Sequence, residues 1–212
     1  MDFDTTITLL LNGSQNIYLD AFAMLATKTW VWIGFYVAML YVIFREHDMR
    51  HFFAIIVGIL LCVLIADQVS SGIFKPLVAR YRPTHNPEIA HLVDIVNGYR
   101  GGRYGFFSSH ACNTMAVTSF VSLIFRRRIL TFTLVAWSLL NCWTRLYLGV
   151  HYFTDILTGL LFGLIIGLGL YGIYRHWFKP TGYTYSSTTL SIIPSVFFLT
   201  LILLSIPWKL YF

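Results

Sequence analysis

Three short stretches hold nearly every strongly ionisable side chain that packing does not easily explain: Lys75 with Arg82-Pro83, Ser108-Ser109-His110, and Arg145 with His151 and Asp155. His151 and Asp155 are four residues apart, so on one helix their side chains share a face. An Asp that accepts from one imidazole nitrogen fixes the tautomer and leaves the other nitrogen free to attack. A histidine that caps a helix or fills a membrane interface fits an isolated pair equally well. Arg145, six residues before His151, needs an anion or water if it lies at the end of a membrane helix, although snorkelling to headgroups explains one arginine alone. Lys75, Arg82 and Arg145 brought to one spot repel one another unless a multivalent anion sits between them. Phosphate suits that place, and arginine's planar fork suits phosphate. Ser108 and Ser109 open a run whose first N–H groups and hydroxyls can cap a helix or hold an anion. His110 beside them is placed to protonate a departing alkoxide. Cations, an acid and a nucleophile together are the parts for breaking a phosphate ester.

The elements that must position these residues follow from composition. Of 212 residues 57% are hydrophobic and only 11% charged, with a mean hydropathy of +0.69, where a soluble domain carries roughly 25% charged residues. The apolar residues gather into runs near the ~20 residues that cross a bilayer. The runs are 21–44, 52–74, 110–125, 129–143, 154–174 and 190–208. An all-α, polytopic membrane bundle of about six transmembrane helices is expected, as a single domain over 1–212. Residues 3–11 are too short to span and are followed by Asn12-Gly13, so a short interfacial helix is expected there. Asp2 and Asp4 in place of a basic segment argue against a cleaved signal peptide. Pro76 and Pro83 are expected to end the second helix and hold an extended turn near the surface.

Alternate connections fall on opposite sides of the membrane. Arg45, Arg50, Arg126, Arg127, Arg128, Arg175 and Lys179 share one side, which the positive-inside rule makes cytoplasmic. All three polar stretches then lie on the outer side. The net charge of +6 needs no nucleic-acid partner, because the cytoplasmic loops carry much of it. Cys62, Cys112 and Cys142 fall inside crossings without metal-ligand spacing and read as small core residues. No carboxylate cluster has the spacing of a metal phosphatase, so neither metal nor cofactor is expected. Asp67, inside the second crossing, is expected to pair with Asn113 or Asn141. In the long connection 81–107, Arg100, Arg103 and Tyr104 are candidate contacts to a substrate headgroup, with interface anchoring an equal reading.

Lys75-(six residues)-Arg82-Pro83, Phe107-Ser108-Ser109-His110 and Thr144-Arg145-(five residues)-His151-(three residues)-Asp155 together resemble the tripartite signature of the type 2 phosphatidic acid phosphatase (PAP2) superfamily, in order and spacing. Phe107 and Ser109 stand where that signature has Pro and Gly, and Thr144 stands where it has Ser. The resemblance implies a metal-independent phosphatase in which His151 attacks phosphorus to form a phosphohistidine and Asp155 orients it. Lys75, Arg82, Arg145, Ser108 and Ser109 would hold the phosphate, and His110 would protonate the leaving group and then activate water.

A surface site with a membrane body suits a lipid whose phosphate is wet and whose tail stays in the bilayer. The expected substrates are polyprenyl diphosphate such as undecaprenyl diphosphate, phosphatidylglycerol phosphate, phosphatidic acid or a lipid A phosphate. A bacterial inner membrane with the site on its periplasmic face is the expected location. Hydrolysis or transfer of a soluble phosphate ester uses the same residues. A non-catalytic lipid or anion transporter is the alternative of another class, and it would place charges at the midplane and repeat its halves. Oligomeric state is not legible.

Overall fold

Side-chain oxygens set the starts of four of the longer helices by accepting from N–H groups that a first turn leaves unpaired. Asp2 opens α1 (Phe3–Leu11), Asn16 opens α2 (Ile17–Ala26), Asp48 opens α4 (Met49–Asp67) and Ser108 opens α6 (Ser109–Phe125). The others are α3 (Ile33–Glu46), α5 (Lys75–Val78), α7 (Arg128–Tyr147), α8 (Phe153–Phe178), α9 (Ser187–Leu190) and α10 (Ile192–Leu204). The structure is a computed structural model that describes residues 1–180 and 182–206. Among these residues the only β pairing is one antiparallel bridge between Tyr81 and Tyr104.

Four helical stretches are long and apolar enough to cross a membrane: Met49–Val78, Arg128–Tyr147, Phe153–Phe178 and Ser187–Leu204. A fifth is present if α2 and the stretch Thr29–Glu46 count as one span. The expected unbroken run 21–44 is instead bent by 74°. The polar triplet Thr27-Lys28-Thr29 interrupts it, and the Trp32 indole N–H closes the bend on the Ala26 carbonyl at 2.8 Å. The second run extends past its expected end, through a π-helical stretch at Gln68–Phe74 into α5. Pro76 continues this helix, and the Lys75 N–H just before it reaches five residues back to the Ser70 carbonyl. The chain turns only at Ala79, whose φ is +49°. Pro207 and Trp208 lie outside the described residues.

α6, the third expected crossing, has 17 residues and so a length of about 25 Å. It is the centre of the bundle, packed by α4, α7 and α8, and most of its residues from Ala111 to Phe125 are buried. Three glycines one turn apart on α8 make its seam with α6. A Cβ on Gly159 would come within 2.6 Å of the Ser108 carbonyl, and one on Gly163 or Gly167 would run into the Cys112 or Ala116 carbonyl. Small residues at this spacing let two helix backbones touch. The outward faces of α4, α8 and α10 remain apolar and exposed, for example at Leu60, Leu64, Leu161, Ile165, Phe198 and Ile202, as a bilayer requires. Cys62, Cys112 and Cys142 are free and buried.

α1 covers the residues expected of the interfacial helix, but it is docked on the bundle. Thr5 and Thr8 are buried, and Asn12 reaches the Tyr147 carbonyl at 2.8 Å. Arg45, Arg126, Arg127, Arg128, Arg175 and Lys179 gather at one end of the helices. All three polar stretches sit at the other.

Candidate active site

Two helix starts and two loops converge at that end. The seam between α6 and α8 brings their first turns together, and the Ser108 N–H donates to the Asp155 carbonyl at 3.1 Å. The Tyr81–Tyr104 bridge holds residues 80–82 extended, with the Arg82 N–H on the Arg103 carbonyl and the Gly105 N–H on the Arg80 carbonyl. Alternation along an extended segment then sends Arg80 and Arg82 to the same side.

His151 lies just before α8 and is 1% exposed. Its Nδ1 is 3.3 Å from Asp155 Oδ2, which also accepts from the Tyr152 N–H at 3.0 Å. Arg82 Nη1 is 3.1 Å from His151 Nε2. A guanidinium only donates, so Nε2 carries the lone pair and Nδ1 the proton given to Asp155, a tautomer assigned by this network. Arg82 is itself fixed by the Val150 carbonyl (2.9 Å) and the Tyr104 carbonyl (3.1 Å). Burial first, and then the charge of Arg145, pushes the Arg82 pKa down to about 10. Burial, followed by the charges of Arg82, Arg145 and Lys75, holds the pKa of His151 well below its ordinary 6.5.

The other signature residues meet around this histidine. Lys75 donates to Ser109 Oγ at 3.0 Å and to Ser71 Oγ at 2.9 Å. Arg145, 3% exposed, donates to Thr27 Oγ1 and, at 3.0 Å, to the Tyr99 hydroxyl. Its Nε is buried without a partner. Ser108 Oγ caps α6 by accepting from the Ala111 N–H at 3.4 Å. His110 stands within electrostatic reach of Lys75, Arg82 and Arg145. Among the described residues, none of those three cations forms an ion pair with a carboxylate. Three mutually repelling, largely buried cations around an imidazole lone pair make a cradle for a multivalent anion.

Sequence reasoning missed five residues that complete the site. Arg80 bridges Asp155 Oδ1 (3.0 Å) and Asp4 Oδ2 (2.7 Å) and stacks on the Tyr152 ring. Asp4, from α1, also accepts from the Thr154 N–H at 2.9 Å and the Thr154 hydroxyl at 2.5 Å. Thr27 and Tyr99 hold Arg145. A second arginine two positions from Arg82 was a readable signal for Arg80; nothing local marked the other four.

One expectation needs restating. Asp67 does not meet Asn113 or Asn141. Ser71, four residues on, donates to Asp67 at 3.3 Å and accepts from Lys75. Arg100 donates to the Thr84 carbonyl (3.0 Å) and exposed Arg103 to the Tyr81 hydroxyl (2.8 Å). Tyr104 meets Arg82 through its backbone carbonyl.

An apolar cavity of about 470 Å³ runs from Thr27 and His110 into the bundle between α3, α4, α6 and α7. No group of three or more His, Cys, Asp or Glu side chains able to hold a metal occurs among the described residues.

The family model described as "PAP2 superfamily" matches residues 56–179. The chain is 40% identical to a lipid A 4'-phosphatase of Porphyromonas gingivalis over 83% of its own length and 75% of that protein. It is 39% identical to a lipid A 4'-phosphatase of Bacteroides thetaiotaomicron over 76% of its own length and 72% of that protein. The crystal structure of Aquifex aeolicus LpxE superposes with a TM-score of 0.59 at 20% identity, over 80% of this chain and 95% of that one. This last likeness concerns the fold.

Proposed function

Because the chain belongs to the PAP2 superfamily and is a membrane-embedded lipid phosphatase, we propose that it removes a phosphate from a lipid A phosphate at the outer face of a bacterial inner membrane, through a phosphohistidine on His151. The observation that carries this reading is the set of three cations without carboxylate partners around the His151 Nε2 lone pair. Two relatives near 40% identity, both named lipid A 4'-phosphatase, favour that lipid over the other candidates. The apolar cavity beginning at His110 favours a lipid over a soluble ester. The cations lie at one end of the bundle rather than at its midplane, which speaks against a transporter.

The resting contact between Arg82 and His151 Nε2 gives way to the entering phosphate, whose oxygens take the guanidinium N–H groups. Nε2 attacks phosphorus in line as the bond to the lipid oxygen breaks, and Asp155 stabilises the proton left on Nδ1. His110, neutral among the three cations until the phosphate's charge offsets them, takes up a proton as the substrate binds and gives it to the departing alkoxide. It then takes one from a water whose oxygen attacks phosphorus as the phosphorus–Nε2 bond breaks, freeing phosphate and His151. Lys75, Arg82 and Arg145 stabilise the equatorial oxygens, aided by Ser109 and the first N–H groups of α6.

The test is phosphate release by the detergent-solubilised protein from lipid A, undecaprenyl diphosphate, phosphatidylglycerol phosphate and phosphatidic acid, in EDTA, beside His151→Ala. Release led by lipid A, lost in the variant, with an acid-labile phosphate trapped on His151, is expected. Release that needs a divalent metal or survives His151→Ala sinks the proposal. A reporter fused within residues 75–109 that reads cytoplasmic reverses the sidedness.

A further inference from the structure

The cavity beginning at His110 holds two polar groups that the protein leaves unanswered. Asn113 Oδ1 and the Trp137 indole N–H are both buried, both line the cavity, and neither has a hydrogen-bond partner. Three of its other polar neighbours are engaged. Thr114 donates to the His110 carbonyl and meets Ser138 at 2.8 Å, Asn141 donates to the Trp137 carbonyl at 2.9 Å, and Thr27 takes Arg145. An unmet acceptor and an unmet donor inside a membrane bundle are costly, and a bound group that answers both removes that cost.

Their positions agree with one another. The contact between Thr114 and Ser138 sets the register of α6 against α7, and Asn113 and Trp137 are the residues just before each of that pair. Because α6 and α7 run antiparallel, Trp137 lies about 3 Å deeper than Asn113. Asn113 is three residues along α6 from His110, about 4.5 Å deeper at 1.5 Å per residue. A group meeting both is then only a few bonds from the oxygen that His110 protonates. An ester offers acceptors only. An amide offers an N–H to Asn113 and a carbonyl to Trp137, and a hydroxyl likewise gives and takes.

We propose that this cavity takes the proximal tail of the lipid and that Asn113 and Trp137 select lipids with an amide or hydroxyl within a few bonds of the scissile phosphate over purely ester-linked ones. The selection rests on the lipid-phosphatase reading above and names its substrate class by chemistry. Most of the remaining lining, including Met39, Ile59, Val63 and Val117, is apolar and suits an acyl chain.

The experiment compares kcat/KM for ceramide 1-phosphate, which carries an amide and a hydroxyl, with that for phosphatidic acid of matched chain length, in mixed micelles. A wild-type preference for the ceramide lipid of about tenfold or more, one good hydrogen bond's worth, is expected. Asn113→Leu should bring the ratio close to one, the loss falling on the ceramide arm. Trp137→Phe, which keeps a ring and removes only the donor, should lower the ratio in the same direction, and a retained thermal midpoint shows that each variant is folded. An equal rate on both lipids in the wild type, a preference for the ester lipid, or a ratio unmoved in both folded variants overturns the selection alone. Release from neither lipid nor from lipid A by folded wild-type protein overturns the phosphatase reading and the selection with it.

Discussion

Arg80 and His151 hold opposite oxygens of one carboxylate: Arg80 Nη1 lies 3.0 Å from Asp155 Oδ1 and His151 Nδ1 lies 3.3 Å from Oδ2. Asp155 is fully buried, so its aim at the histidine depends on the arginine behind it. Arg80→Gln should lower kcat by about a hundredfold, the scale of a 1 Å misplacement of a reacting group, while KM changes little. Arg80→Lys should recover part of the loss. Steady-state kinetics decide the matter, and a change confined to KM would make Arg80 a substrate contact instead.

Asp4 extends that chain of contacts to α1. Asp4→Asn should reduce turnover without removing the signature residues, and its effect should not add to that of Arg80→Gln. A double-mutant cycle on stability should return a coupling of about 0.5–3 kcal/mol. Additive effects would mean that α1 merely rests on the bundle.

Burial and neighbouring cations depress the pKa of His151 below 6.5, so its stability contribution has a definite pH window. As pH falls below 6.5 the unfolded chain takes up a proton at this residue that the folded chain refuses. The contribution is present above 6.5 and is lost progressively below it. The thermal midpoint should decline from pH 7 to pH 5, and His151→Gln should decline less steeply. Identical slopes would place the titration elsewhere.

The α6–α8 seam admits no Cβ at Gly163, which would strike the Cys112 carbonyl, whereas Gly169 has nothing within 4 Å. Gly163→Ala should destabilise by about 1–3 kcal/mol and lower activity, because the seam sets Ser108 against Asp155. Gly169→Ala should leave activity unchanged and stability equal or higher, by up to about 1 kcal/mol. Melting and turnover of the two variants, side by side, test the seam.

Much of this site was legible because its residues are chemically conspicuous in an apolar chain. Lys75, Arg82, Ser109, Arg145, His151 and Asp155 have few packing roles open to them, and their spacing survives in one dimension. Arg80, two positions from Arg82, carried a readable signal that the signature does not include, whereas Asp4, Thr27 and Tyr99 act from segments far away in sequence. Hydropathy likewise located the helices, yet it averaged over the polar triplet at Lys28 and missed the bend there. The extension of the second helix through Pro76 depends on a π-helical stretch, which no periodicity of apolar residues announces. The orphaned atoms of Asn113 and Trp137 emerge only from three-dimensional packing.

The glycine seam divides the molecule by its tolerance for mutation. Gly159, Gly163 and Gly167 face backbone atoms of α6, so almost any replacement there moves two helix starts at once and hydrolysis suffers whatever the lipid. The wall supplied by α3 and α4, with Tyr36, Leu40, Ile59 and Val63, meets the tail and none of the reacting atoms. Sequence drift along that wall can redirect the enzyme among lipids while the chemistry is inherited intact.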